Sequence, residues 1–115
     1  MSELHVREWQ DRLRRFAVHR DWEQFHTPKN LVMALSVEVA ELVEIFQWLT
    51  PEQSTEVMGT KRAQDVRDEV ADSLTYLLRL ADVLNVDLDA AMADKFQRAA
   101  DRYPVDEVRG SAEKR

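Results

Sequence analysis

The chain of 115 residues contains no cysteine. Disulfides, thiol nucleophiles and thiolate metal sites are therefore excluded. Only two glycines and three prolines interrupt it, and its Val and Thr residues are scattered without alternation. Tight turns and β-strands are not expected from such a chain. No stretch approaches the roughly 20 apolar residues of a membrane span, and the N-terminus lacks the apolar core of a signal peptide. The expectation is one cytoplasmic domain with no membrane partner. Basic residues are also in deficit, 16 Lys and Arg against 22 Asp and Glu, for a net charge of −6. Sequence-independent nucleic-acid binding needs a basic surface, so no nucleic-acid partner is expected.

What is present is helical periodicity with acids in the wrong place. Leu31, Leu35, Glu38, Leu42, Ile45 and Leu49 recur at alternating spacings of four and three, the pattern of a packed helix face. Glu38 stands inside that seam, and Glu41 lies about 60° round from it on the same side. A second seam runs through Val66, Val70, Ser73, Leu77, Leu80 and Leu84, with Glu69, Asp72 and Tyr76 along one flank. The chain thus carries Glu38-Val-Ala-Glu41 and Glu69-Val-Ala-Asp72, each on an apolar helix face.

Two carboxylates about 4 Å apart repel by roughly 4 kcal/mol at an effective dielectric of 20. Protonation or a bound cation relieves that repulsion. Four carboxylates without Cys or His are hard oxygen donors, which suit Mg²⁺, with Mn²⁺ as a substitute, better than zinc. Solvated acids on amphipathic helices would explain one such pair. Two pairs on two seams favour a metal site held by Glu38, Glu41, Glu69 and Asp72.

Taken in order, the chain reads as about four main helices joined by short connections, an all-α antiparallel bundle. Ser2–Val18 form the first, with Leu4, Trp9, Leu13 and Phe16 on one side and Arg7, Arg12, Arg14 and Arg15 on a solvated face. Residues 20–30 break the periodicity; Pro28 suits the first turn of a second helix running from about Lys29 to Leu49, with Thr27 placed to cap it. Glu23-Gln-Phe-His26 contains Glu-x-x-His, half of a di-iron signature, but that site needs the motif on two helices. Pro51–Thr60 reads as a loop with a helical turn, Lys61–Asn85 as the third helix, and Leu88–Asp101 as the fourth, capped by Asp87. One domain is expected over residues 1–104. The polar stretch 105–115 reads as a mobile tail. Trp9, Trp22 and Trp48 serve either as core or as a stacking surface for a nucleobase.

With the motifs in place, the chain resembles the all-α nucleoside triphosphate pyrophosphohydrolases, the MazG-like superfamily, and within it the dCTP pyrophosphatase branch. The resemblance rests on the two acidic motifs, on Arg20-Asp-Trp-Glu-Gln-Phe-His26 continuing to Pro28 and Asn30, and on Phe46-Gln-Trp48. Tyr76, four residues after Asp72, and the ending Arg102-Tyr-Pro104 also fit it, so that it spans roughly Phe16 to Pro104. It implies a helical protomer completed by homodimerisation, as a homodimer or homotetramer. It implies Mg²⁺-dependent cleavage of a nucleoside triphosphate, most of all dCTP or a modified dCTP, to the monophosphate and pyrophosphate. Glu38, Glu41, Glu69 and Asp72 would then hold the metal, and Glu41 would help deprotonate the attacking water. Trp22, Glu23, Gln24, Phe25, His26, Trp48 and Tyr76 would line the nucleotide pocket, and Lys95 would meet phosphates. The chain departs from the branch at Ala99, where Asn is usual, and at Leu13, where the vertebrate enzyme has a histidine. Base preference therefore stays open. The competing reading is a catalytically idle bundle that binds nucleotides or a protein partner, and a third is a purely structural helical dimer.

Overall fold

A computed structural model describes residues 3–115, and every regular element among them is helical. The main helices are α1 (Val6–His19), α2 (Pro28–Phe46), α4 (Ala63–Val83) and α5 (Leu88–Arg102), with short helices α3 (Pro51–Thr55) and α6 (Val105–Val108). The all-α expectation holds. The start expected at Ser2 lies outside the described residues. Two compact units result, one ending at Leu84 and the other formed by Asn85–Arg115.

In the first unit, paired contacts give the helix directions. His26, just before α2, meets Arg79 near the end of α4, while Glu38 and Glu41 meet Glu69 near its start. Numbers fall on one helix as they rise on the other, so α2 and α4 are antiparallel. Gln10 Nε2 donates to the Leu78 carbonyl and Arg14 pairs with Asp82, so α1 runs parallel to α4.

The α2 seam faces inward as read: Leu31 and Ile45 are buried, and Leu35, Glu38, Leu42 and Leu49 are half-buried. The other two faces differ from expectation. Along α1, the inward positions are Val6, Gln10, Leu13 and Ala17, while Trp9 and Phe16 are exposed on its flanks under the guanidiniums of Arg12 and Arg20. A small residue, Ala17, lets the backbone approach its neighbours, and the rings gain cation–π contacts instead. On α4, the buried residues are Leu78, Arg79 and Ala81, whereas Val70, Leu77 and Leu84 of the expected seam are about half exposed. Because α4 packs against both α1 and α2, its covered surface is wider than one stripe. The uncovered stripe lies on its remaining side.

Helix ends follow local chemistry. The Thr27 hydroxyl accepts from the Asn30 N–H and Pro28 fills the first turn, as expected. Thr50 and Gln53 form a reciprocal capping box that starts α3. At the end of α1, Asp21 takes the left-handed conformation (φ 54°). Its N–H donates to the Val18 carbonyl and the Trp22 N–H to the Ala17 carbonyl, a Schellman motif. The accompanying apolar contact is Trp22 edge-on to Phe16, with ring centroids 5.8 Å apart. Asp tolerates this conformation better than a β-branched residue does. Asp21→Val is therefore expected to lower stability by about 1 kcal/mol and Asp21→Gly not to, as read by urea denaturation.

In the second unit, the Asp87 side chain accepts from the Ala90 N–H and caps α5 as expected. Met92 and Phe96 are exposed at 69% and 75%, leaving an apolar stripe on that helix uncovered. The stretch read as a tail contains the helical turn Val105–Val108, and the Arg115 N–H donates to the Tyr103 hydroxyl at 2.7 Å. Among the described residues, no helix is long and apolar enough to cross a membrane.

Candidate functional site

The site is built where the two acidic motifs cross. Antiparallel packing of α2 on α4 brings carboxylate oxygens of Glu38, Glu41 and Glu69 within 4.8 Å of one another. Asp72, one turn on from Glu69, stands outside that set of three, although its charge still acts on Glu38. Glu38 and Glu69 are half-buried and Glu41 is exposed. Glu38 Oε2, Glu69 Oε2 and the Ser73 hydroxyl are buried without a hydrogen-bond partner.

Buried polar atoms are almost always satisfied, and unsatisfied carboxylate oxygens are the costliest exceptions. Burial pushes the Glu69 carboxyl up to about 7, reinforced by the neighbouring Glu38 and Glu41. Burial raises Glu38 as well; its proximity to Glu69 works the other way, and the charges of Glu41 and Asp72 add to the rise. Orphaned oxygens converging from two helices, with no nitrogen or sulfur donor among them, fit a hard divalent cation. The acidic cluster is thus able to hold a metal.

A testable consequence concerns pH. A carboxyl raised in the folded state binds its proton more tightly there than in the unfolded chain. Its stabilising contribution is full below the ordinary value of 4.5 and is lost as pH rises to about 7. Metal-free protein is therefore expected to melt at a lower temperature at pH 8 than at pH 5. A divalent cation, which needs deprotonated ligands, should raise the melting temperature more at pH 8. A scan by calorimetry with and without Mg²⁺ checks both directions.

The connection between α1 and α2 is held from several sides. Glu23–Phe25 form a single 3-10 turn, in which the Phe25 N–H donates to the Trp22 carbonyl and the His26 N–H to that of Glu23. Gln24 Nε2 donates to the Asp21 carbonyl and carboxylate, and Asn30 Nδ2 donates to the Phe25 carbonyl. These bonds place Trp22 and Phe25 with their rings exposed and leave His26 half-buried. Trp48, just beyond α2, is 86% exposed, so among the three tryptophans it has the least claim to be core. Tyr76 is half-buried on α4, on the flank that carries Glu69 and Asp72. Lys95 is exposed on α5, in the second unit.

Arg79 is buried, its side chain 6% exposed. Its Nε–H donates to His26 Nδ1 at 3.1 Å, and Nη1 donates to Asp82 Oδ2 at 3.1 Å. Asp82 in turn accepts a bidentate pair from Arg14, at 2.9 and 2.7 Å. Arg14 is therefore not part of a merely solvated face. The Glu23 carboxylate lies 3.9 Å from Arg79 Nη2. Hydrogen bonding from Arg14 holds Asp82 below the usual carboxylate range; burial opposes it, and the charge of Arg79 adds to the lowering. Burial lowers the His26 imidazole, the Arg79 charge lowers it further, and Glu23 partly offsets both.

The MazG-like family model matches residues 33–115. dCTP pyrophosphatase 1 of Rattus norvegicus is 45% identical over 98 residues, covering 84% of this chain and 58% of that protein. dCTP pyrophosphatase 1 of Homo sapiens is 42% identical over 100 residues, covering 86% of this chain and 59% of that protein. The chain therefore spans less than two-thirds of the length of these relatives. The crystal structure of a pyrophosphatase from Archaeoglobus fulgidus superposes with a TM-score of 0.81 at 41% identity, covering 90% of this chain and 96% of that one.

Proposed function

The chain belongs to the MazG-like family, and from that premise we propose that it is a Mg²⁺-dependent nucleoside triphosphate pyrophosphohydrolase acting on dCTP or a base-modified dCTP. The observation that carries this reading is the convergence of Glu38, Glu41 and Glu69 from two helices with orphaned oxygens on two of them. The names of the dCTP pyrophosphatases it resembles support the substrate class. The role is removal of unwanted nucleotides from the cytoplasmic pool.

Glu38, Glu41, Glu69 and Asp72 would hold the cation. Bound there, Mg²⁺ would supply positive charge to offset the triphosphate and to acidify water. The chain's own residues do the rest. Water attacks the α-phosphorus, the bond from that phosphorus to the bridging oxygen breaks, and pyrophosphate leaves as the monophosphate forms. Glu41, exposed at the edge of the cluster, takes the proton of the attacking water. Trp22 and Phe25, just before α2, offer ring faces for stacking the base, while Trp48 lies beyond the far end of that 19-residue helix and cannot join them on the same base within one protomer. Tyr76 closes the flank beside the acids. Glu23, Gln24 and His26 supply polar contacts to the base or sugar.

The active form is a homodimer or homotetramer. Val70, Leu77 and Leu84, at i, i+7 and i+14, leave a half-exposed apolar stripe along α4, and Val39 and Val43 leave another on α2. Stripes of this kind mark interaction surfaces. The experiment is product analysis on dNTPs, NTPs and 5-substituted dCTPs with Mg²⁺. Monophosphate and pyrophosphate from dCTP are the expected result. Release of orthophosphate, or no product from any nucleotide, would overturn the proposal and favour the idle binding module.

A further inference from the structure

Arg79 makes no contact with the acidic cluster in the geometry above, yet it is the buried charged residue among those described. Burying a guanidinium is costly unless its donors are used, and here they are spent on Asp82 and on one nitrogen of His26. That second contact has a chemical consequence. A guanidinium is always protonated and can only donate. The nitrogen facing it, His26 Nδ1, must therefore be an acceptor and carry no proton. In a neutral imidazole the proton then sits on Nε2.

We propose that Arg79 is a positioning residue that locks His26 as the Nε2–H tautomer, so that His26 meets the nucleotide as a fixed hydrogen-bond donor. The inference rests on the nucleotide-binding reading of His26 and deepens it. Nε2 is the ring nitrogen left for a ligand, and what it contacts must be an acceptor: a base carbonyl, an unprotonated ring nitrogen or a phosphate oxygen. It cannot accept from an exocyclic amine.

The charges around the ring support the lock. Arg79 from α4 and Arg14 from α1 are balanced by Asp82 from α4 and by Glu23 from the ring's own connection. The set is neutral with His26 uncharged. Protonating Nδ1 would set two donors face to face at 3.1 Å. Arg79 also ties the loop to α4, so one side chain fixes both where the imidazole lies and which of its nitrogens bears hydrogen. A lysine would bring charge to this place but not the planar fork that serves Asp82 and His26 together.

The test is the nitrogen spectrum of the full ¹⁵N-labelled chain, in long-range ¹H–¹⁵N correlations from pH 8 to about 5.5, a unit below the ordinary imidazole value. The His26 signals are identified by their loss in His26→Gln. The expected result is an unprotonated Nδ1 and a protonated Nε2 throughout that range. In Arg79→Met, His26 should show mixed tautomers and titrate at a higher pH than in the unaltered protein, while its burial still lowers it. KM for dCTP should rise about tenfold, the loss of one good hydrogen bond, with a smaller change in kcat. The double variant should have the same KM as His26→Gln alone, because Arg79 acts through His26. A proton on Nδ1 in the unaltered protein, unchanged nitrogen signals in Arg79→Met, or additive losses in the double variant would each overturn the proposal. Should Arg79→Met not fold, the spectrum of the unaltered chain still decides. Should no nucleotide be hydrolysed, the function proposed above fails while the tautomer remains measurable.

Discussion

Glu38→Gln is expected to remove nucleotide hydrolysis while leaving the helical fold intact. Glu38 is the acid that sits inside the α2 seam, with one oxygen buried and unpartnered. It shares its space with Glu41 and Glu69. An amide keeps the size of the side chain but offers one neutral carbonyl in place of a charged ligand. Metal assistance is worth several kcal/mol of transition-state stabilisation, so turnover should fall on the order of a thousandfold. Stability should move the other way. Without metal at pH 8, the variant lacks a buried charge that burial and its neighbours disfavour, and it should melt above the unaltered protein. Pyrophosphate release and circular dichroism on the same samples check both halves. Full activity with Mg²⁺ present would sink the metal-site reading.

The second large effect is structural and comes from Asp82. Its carboxylate is the common acceptor for Arg14 and Arg79 and is itself 16% exposed. Asp82→Ala would leave the buried Arg79 with no carboxylate in hydrogen-bonding range, since Glu23 stands 3.9 Å away. Removing one partner of a buried ion pair costs about 3–5 kcal/mol. A domain of this size would lose on the order of 10 °C in melting temperature. Arg14→Met should cost far less, because Arg14 is 47% exposed and most of its charge is screened. The pH sign is opposite to that of Glu69. A carboxyl held low contributes stability at neutral pH that disappears as pH falls below its ordinary value of 3.8. Equal melting temperatures for Asp82→Ala and Arg14→Met would show that the network adds little.

Much of this protein was legible before any coordinates. The scarcity of Gly and Pro and the 4-3 spacing of α2 dictate helices. Thr27, Pro28 and Asp87 mark two helix starts through their own side-chain chemistry. These features depend on residues a few positions apart, and local spacing is what a linear chain records. The two acidic motifs were legible for the same reason, as charges in places where an apolar residue was due.

Tertiary structure decided the rest. Which side of α1 and α4 faces inward could not be settled by periodicity, because each presents apolar residues on more than one side and α4 has two neighbours to choose between. Arg79 looks in sequence like any arginine on an amphipathic helix, and Arg14 like one of several on a basic face. Burial of the first and pairing of the second arise only when residues 53 and 68 positions apart come together. Helical spacing records which residues share a face. It carries no record of what that face meets, because that is chosen by packing among helices and by the need to satisfy every charge that packing buries.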